Sequence, residues 1–97
     1  LAGLEVPGFA DTETTIAELQ DRIAKTIAFI ATIPADAYEG AEARTINVKA
    51  GPRELSFPAV QYYHGYAIPN FYFHMSTCYN ILRANGVEIG KTDFLGA

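Results

Sequence analysis

The sequence predicts a mainly α-helical domain: two long helices, the second kinked at Pro69, with a short β-hairpin between them. Three observations predict it. Ile16, Leu19, Ile23, Ile27 and Ile30 recur at spacings of three and four, the period of one helix face. Residues 45–57 alternate polar and apolar, the period of a strand. From about Ala59 to Asn85 the chain is again helical in pattern, interrupted only at Pro69.

Each element follows in order. Residues 1–11 read as an extended lead-in, because Gly3, Pro7 and Gly8 interrupt any helical period. Asp11 or Thr12 is positioned to cap the first helix, with Glu13 in its first turn favourable to the helix dipole. Glu18 with Arg22, and Asp21 with Lys25, are acid-before-base pairs four residues apart on the polar side. Pro34 stops the helix, since it drives the residue before it out of helical geometry. After a polar connection over 35–43, Thr45–Lys49 and Glu54–Phe57 form the hairpin around Ala50-Gly51-Pro52-Arg53. Two strands alone are marginal in water, so Ile46, Val48, Leu55 and Phe57 are expected to lie against helices.

In the second helical stretch, Pro69 faces the carbonyl of Gly65, where a glycine leaves the backbone room to bend, so a kinked helix or two abutting helices are expected rather than a long loop. Beyond it Phe71, Met75, Cys78 and Leu82 share one face, and Ser76, Thr77, Asn80 and Arg83 fall opposite. Asn85-Gly86 stops the helix, Gly86 supplying a left-handed residue. The apolar tail 87–96 is expected to fold back onto the helices.

Composition narrows the function classes. The 97 residues suit one domain, and 49% hydrophobic against 19% charged is a globular balance. The net charge of −4, with no basic stripe, argues against a nucleic-acid partner. Charge is uneven: residues 1–42 carry a balance of −6 and residues 43–97 one of +2. No apolar run approaches the roughly 20 residues of a membrane span. A single cysteine cannot pair internally, so a reducing, cytoplasmic setting is expected. The start at Leu1, without Met, reads as an internal one.

Candidate site residues are few. His74 and Cys78 sit four apart on one helix face, and a thiol beside an imidazole is the pattern of an activated nucleophile. The surrounding aromatic and aliphatic residues favour instead a shielded core thiol and a hydrogen-bonded core histidine. His64 lies ten residues before His74, about 80° away around an ideal helix, and is expected to be a buried structural residue. Tyr62, Tyr63, Tyr66, Tyr72 and Tyr79 suit either a ligand pocket or a core without Trp, and core filling is favoured. There is no phosphate-binding glycine loop, no serine nucleophile elbow and no paired-cysteine zinc motif.

The run Ile68-Pro69-Asn70-Phe71-Tyr72-Phe73-His74, then Ile81-Leu82-Arg83, Asn85 to Lys91 and Asp93-Phe94-Leu95-Gly96, resembles a bacterial domain-of-unknown-function branch of the DinB/YfiT-like metalloenzyme superfamily. Val6-Pro7-Gly8-Phe9, Asp11-Thr12 and Ala17-Glu18-Leu19 fit the same family, so the resemblance spans essentially the whole chain. It implies that residues 1–97 are the C-terminal part of a DinB-like four-helix bundle whose two N-terminal helices are missing. It also implies a divalent metal (Zn, Ni, Mn or Fe) held by three histidines, two of them one turn apart on the last helix. His74 matches one of that pair, Asn70 stands where the other histidine belongs, and His64 is the remaining candidate. Asn is a poor ligand for zinc or nickel, so a degenerate site without cofactor is the first expectation, and a metal-dependent transferase or hydrolase the alternative. The uncovered helix faces lead to a further expectation, a homodimer or a complex with another subunit.

Overall fold

A computed structural model describes all of residues 1–97. The chain is predominantly helical, with four α-helices and one two-stranded antiparallel sheet, and it divides into two compact units, Leu1–Arg44 and Thr45–Ala97.

The first unit is an extended lead-in followed by α1 (Ile16–Ala31). The cap of α1 is Thr15, three residues beyond Thr12 and four beyond Asp11, the two expected. The Thr15 hydroxyl accepts from the Glu18 backbone N–H at 3.2 Å, and the Glu18 carboxylate reaches back to the Thr15 N–H at 2.9 Å. This capping box satisfies two of the orphan N–H groups of the first turn. It also occupies Glu18, so Arg22 finds its carboxylates in the lead-in instead, at Asp11 (2.6 Å) and Glu13 (3.0 Å). The Asp21–Lys25 pair forms as expected, at 2.6 Å. α1 ends three residues before Pro34, and two short 3-10 turns, Ala35–Tyr38 and Ala41–Ala43, carry the chain onward. Arg44 donates to the carbonyls of Leu1 and Ala37, tying the ends of the unit together.

The second unit opens with β1 (Thr45–Ala50) and β2 (Arg53–Pro58). Their two-residue turn places Gly51 at φ 60°, followed by Pro52, a pair compatible with a type II′ hairpin, whose first central residue alone needs positive φ. The register sets Ile46 opposite Phe57 and Val48 opposite Leu55, all four half-buried on one face. That face packs on α2 (Ala59–Tyr62), whose Ala59 is the only fully buried residue of the chain. Phe57 and Tyr66 lie 5.3 Å apart between ring centroids, and Tyr62 and Tyr66 stack at 5.7 Å.

The expected DinB-type bundle fragment, with two long helices and a kink at Pro69, is not what the second unit forms. The helical run is α2, a π-helical turn over Tyr63–Ala67, then α3 (Ile68–Ala84), with a separate short α4 (Lys91–Leu95). Pro69 is the second residue of α3, but the backbone before it stays helical (Ala67 at φ −66°, ψ −52°), so its missing N–H falls within a continuous helical run. The irregularity falls one turn earlier: the Ile68 N–H bonds the Tyr63 carbonyl, five residues back. A wider turn just before the proline opens the ladder where its ring needs room. Neither α1 nor α3 contains a buried residue, so no bundle core forms on either. The apolar period identified helices, but period alone does not say what covers them.

α3 stops as expected. Gly86 takes φ 92°, its N–H bonds the Arg83 carbonyl, and the Val87 N–H bonds that of Leu82, a Schellman arrangement. The tail folds back within its unit: the Tyr79 hydroxyl donates to the Gly90 carbonyl, and the Tyr79 and Phe94 rings meet edge to face at 5.1 Å.

Candidate functional site

Three places carry side chains worth weighing. The first is the face of α3 with the residues singled out for metal or thiol chemistry. Asn70 and His74 lie one turn apart on α3 and are both exposed. His64 is exposed in the π-helical turn. Ten residues of helix separate the two imidazoles by about 15 Å along the axis. The extra residue in the π turn adds roughly another 100° of rotation to their 80° offset, which sets them on opposite sides. No group of three or more His, Cys, Asp or Glu side chains converges in the structure. Cys78, His74 and His64 are all exposed, and none occupies the core position expected of it. The tail explains why. It covers the flank of α3 that holds Tyr79, leaving Phe71, Cys78 and Leu82 open.

The second place is a groove of about 430 Å³ in the first unit, lined by Phe9, Glu13, Glu18, Asp21, Arg22 and Lys25 among others. Arg22 lies over the Phe9 ring at 4.6 Å while holding Asp11 and Glu13. Asp11 takes φ 54°, a left-handed geometry that aspartate tolerates better than most residues. Hydrogen bonding to Asp11, then to Glu13, raises the Arg22 pKa further, and Asp21 does the same for Lys25. The backbone N–H groups of Thr14 and then Thr15 lower that of Glu18. Every charged side chain lining the groove thus has a structural partner within the unit. Sequence spacing could not reveal the Arg22 cluster, because its partners stand nine and eleven residues away across an irregular lead-in.

The third place is the apolar surface itself. On α1, Ile16, Leu19, Ile23, Ile27 and Ile30 are between 46% and 72% exposed. On α3, Phe71, Tyr72, Phe73, Ile81 and Leu82 are between 46% and 64% exposed. Scattered surface hydrophobes need no explanation, but contiguous ones mark contact sites.

Residues 1–95 match the family described as "Domain of unknown function (DUF1993)". The chain belongs to the DUF1993 family. The match takes in both units, so the capped α1 and the hairpin–helix unit are together parts of the DUF1993 domain. No curated protein and no solved structure matches the chain. No helix is long and apolar enough to cross a membrane.

Proposed function

We propose that this DUF1993 domain works by packing: its exposed helix faces are contact surfaces for another polypeptide, and its metal-site pattern is degenerate. One observation carries the reading. Ala59 alone is fully buried, while five aliphatic side chains on one face of α1 stand about half exposed or more. A surface of that kind is stabilised when a partner removes it from water, at about 25 cal/mol per Å² of apolar area. The paired charges of the first unit fit the same reading, since Glu13, Asp21, Arg22 and Lys25 are engaged in holding the unit together. Light scattering over a wide concentration range tests it. The expected result is a particle heavier than one chain. A cooperatively melting species of monomer mass at every concentration would overturn it.

A second reading rests on His74, exposed on α3 one turn from Asn70, which stands where the DinB/YfiT-like resemblance calls for a second histidine. In that reading His74 is the surviving ligand of a metal-dependent, thiol-using transferase or hydrolase, with His64 as the candidate second ligand and Cys78 or Tyr79 nearby. Metal analysis of protein purified without a histidine tag separates the two. Near-stoichiometric Zn, Ni, Mn or Fe supports the enzyme, and its loss in His74→Ala places the ion.

A further inference from the structure

α3 ends on Asn85-Gly86, a pair with a chemistry of its own. A glycine carries no Cβ, so its backbone nitrogen approaches the side-chain amide of a preceding asparagine without hindrance. Asn85 is exposed, so water and base reach it. The other three asparagines, Asn47, Asn70 and Asn80, are followed by Val48, Phe71 and Ile81, whose side chains crowd the same approach. The folded end of α3 nevertheless holds Asn85 short of reaction. Its Nδ2 donates to the Ile81 carbonyl at 2.7 Å, back along the helix. The Gly86 N–H donates to the Arg83 carbonyl at 3.1 Å, so the attacking nitrogen is engaged too. At φ −95° and ψ 16°, Asn85 keeps its Cβ and the Gly86 nitrogen turned well apart about the Cα–C bond, whereas closing a five-membered ring needs them nearly eclipsed.

We propose that Asn85 is a site of spontaneous deamidation, held in check by the folded end of α3 and released when that turn opens. The Gly86 nitrogen attacks Cγ of Asn85. The new N–Cγ bond forms, the Cγ–Nδ2 bond breaks, and the amide nitrogen leaves as ammonia with the proton that the Gly86 nitrogen gives up. Water then opens the cyclic imide at either carbonyl, leaving aspartate or an isoaspartate whose main chain runs through the side chain. Both products alter the stop of α3. The donor to the Ile81 carbonyl is lost, and a carboxylate stands in its place at the negative end of the helix dipole. Isoaspartate also inserts a further main-chain carbon before Gly86, which displaces the bonds from the Gly86 and Val87 N–H groups to the Arg83 and Leu82 carbonyls. The tail then keeps only its later anchors, the Tyr79 bond to Gly90 and the Tyr79–Phe94 ring contact. Because the conversion is one-way, it accumulates with the time the turn spends open.

Peptide mass spectrometry of the chain after incubation at mildly alkaline pH reads the conversion directly. In guanidinium, where the turn is lost, the peptide containing Asn85 should gain the mass of an acid in place of an amide, with isoaspartate among the products. Asn47, Asn70 and Asn80 should convert far more slowly in the same sample, since their neighbours hinder attack. The native chain should convert at Asn85 at least about tenfold more slowly than the denatured one, because only its open fraction reacts. Intermediate guanidinium concentrations open the turn by degrees, and Tyr79→Phe removes the tail's bond to Gly90 without touching Asn85-Gly86. In both series the conversion rate should rise in step with hydrogen exchange of the Val87 amide, which the Leu82 carbonyl holds. A denatured chain that shows no preference for Asn85 would overturn the site. Native and denatured chains that convert alike, or a rate that stays flat while Val87 exchange quickens, would overturn its control by the turn.

Discussion

The two units of this chain are held by different forces. Residues 1–44 contain no buried residue, and their order rests on a capping box, on Arg22 between two lead-in carboxylates, and on Arg44 tying backbone carbonyls together. Residues 45–97 use few charges and rest on a hairpin face, the rings of Phe57, Tyr62 and Tyr66, and the buried Ala59. The helices differ in the same sense. α1 confines its exposed aliphatics to one arc, whereas Phe71, Tyr72 and Phe73 point about 100° apart in succession and give α3 apolar surface on several sides. One unit therefore depends on ionisation and offers a defined face. The other depends on packing and offers a diffuse one.

The sharpest way to break this contrast is to disturb the packed unit alone. Ala59→Leu inserts a larger side chain at a position 1% exposed, against the hairpin. Overpacking of this kind costs about 1–3 kcal/mol. The aromatic near-ultraviolet signal from Phe57, Tyr62 and Tyr66 should weaken and melt earlier, while the helical content of α1 persists. Unchanged melting of the aromatic signal would mean the second unit is not held together at Ala59.

The complementary change is to the first unit. Thr15→Ala removes the cap of α1 and is expected to cost about 1 kcal/mol, read as lost helicity. Acid should act at the same place. Hydrogen bonds from the Thr14 and Thr15 N–H groups hold the Glu18 pKa below its ordinary value, so the folded state favours the ionised form. Its contribution is present above the ordinary glutamate pKa of about 4.3 and is lost as pH falls through the lowered one. Helicity of α1 should therefore decline in that acid window, and Glu18→Gln should already show the lowered helicity at neutral pH and lack the acid step. An identical acid profile in Glu18→Gln would assign the transition to another carboxylate.

What was legible in the sequence follows the range of the forces. Local chemistry read correctly: the helical period over Ile16–Ile30, the Gly51-Pro52 turn, the Gly86 stop and the Asp21–Lys25 pair each need only neighbours a few residues away. The cap was misplaced because Asp11, Thr12 and Thr15 are all competent residues, and only the position of Glu18 three residues after Thr15 completes the box. The bundle was misread for a different reason. Pro69 signalled an irregularity, but the backbone placed it one turn earlier, as a π turn that period and propensity do not encode. Burial was the least legible quantity. An apolar stripe looks the same in sequence whether its own chain or a partner covers it, and this is why Cys78 and His74 read as core residues.

His74 provides the smallest and most discriminating prediction, because its two possible roles differ in the size of the effect. As a core residue with stranded hydrogen-bond partners, its loss would cost on the order of 1–3 kcal/mol. The structure places it exposed on α3, with its ring near Phe73 and no hydrogen bond to its imidazole. Surface substitutions away from special features change stability by no more than about 0.5 kcal/mol. His74→Ala should then melt within that margin of the wild type, leaving both the capped unit and the aromatic unit unaltered. A drop beyond about 1 kcal/mol in metal-free protein would show that the α3 face is covered in solution, since an exposed imidazole has nothing to lose. If that drop appears only at concentrations where the chain associates, the cover is a second copy of the domain. If it appears at every concentration, it arises within one chain and the open α3 face described above is wrong.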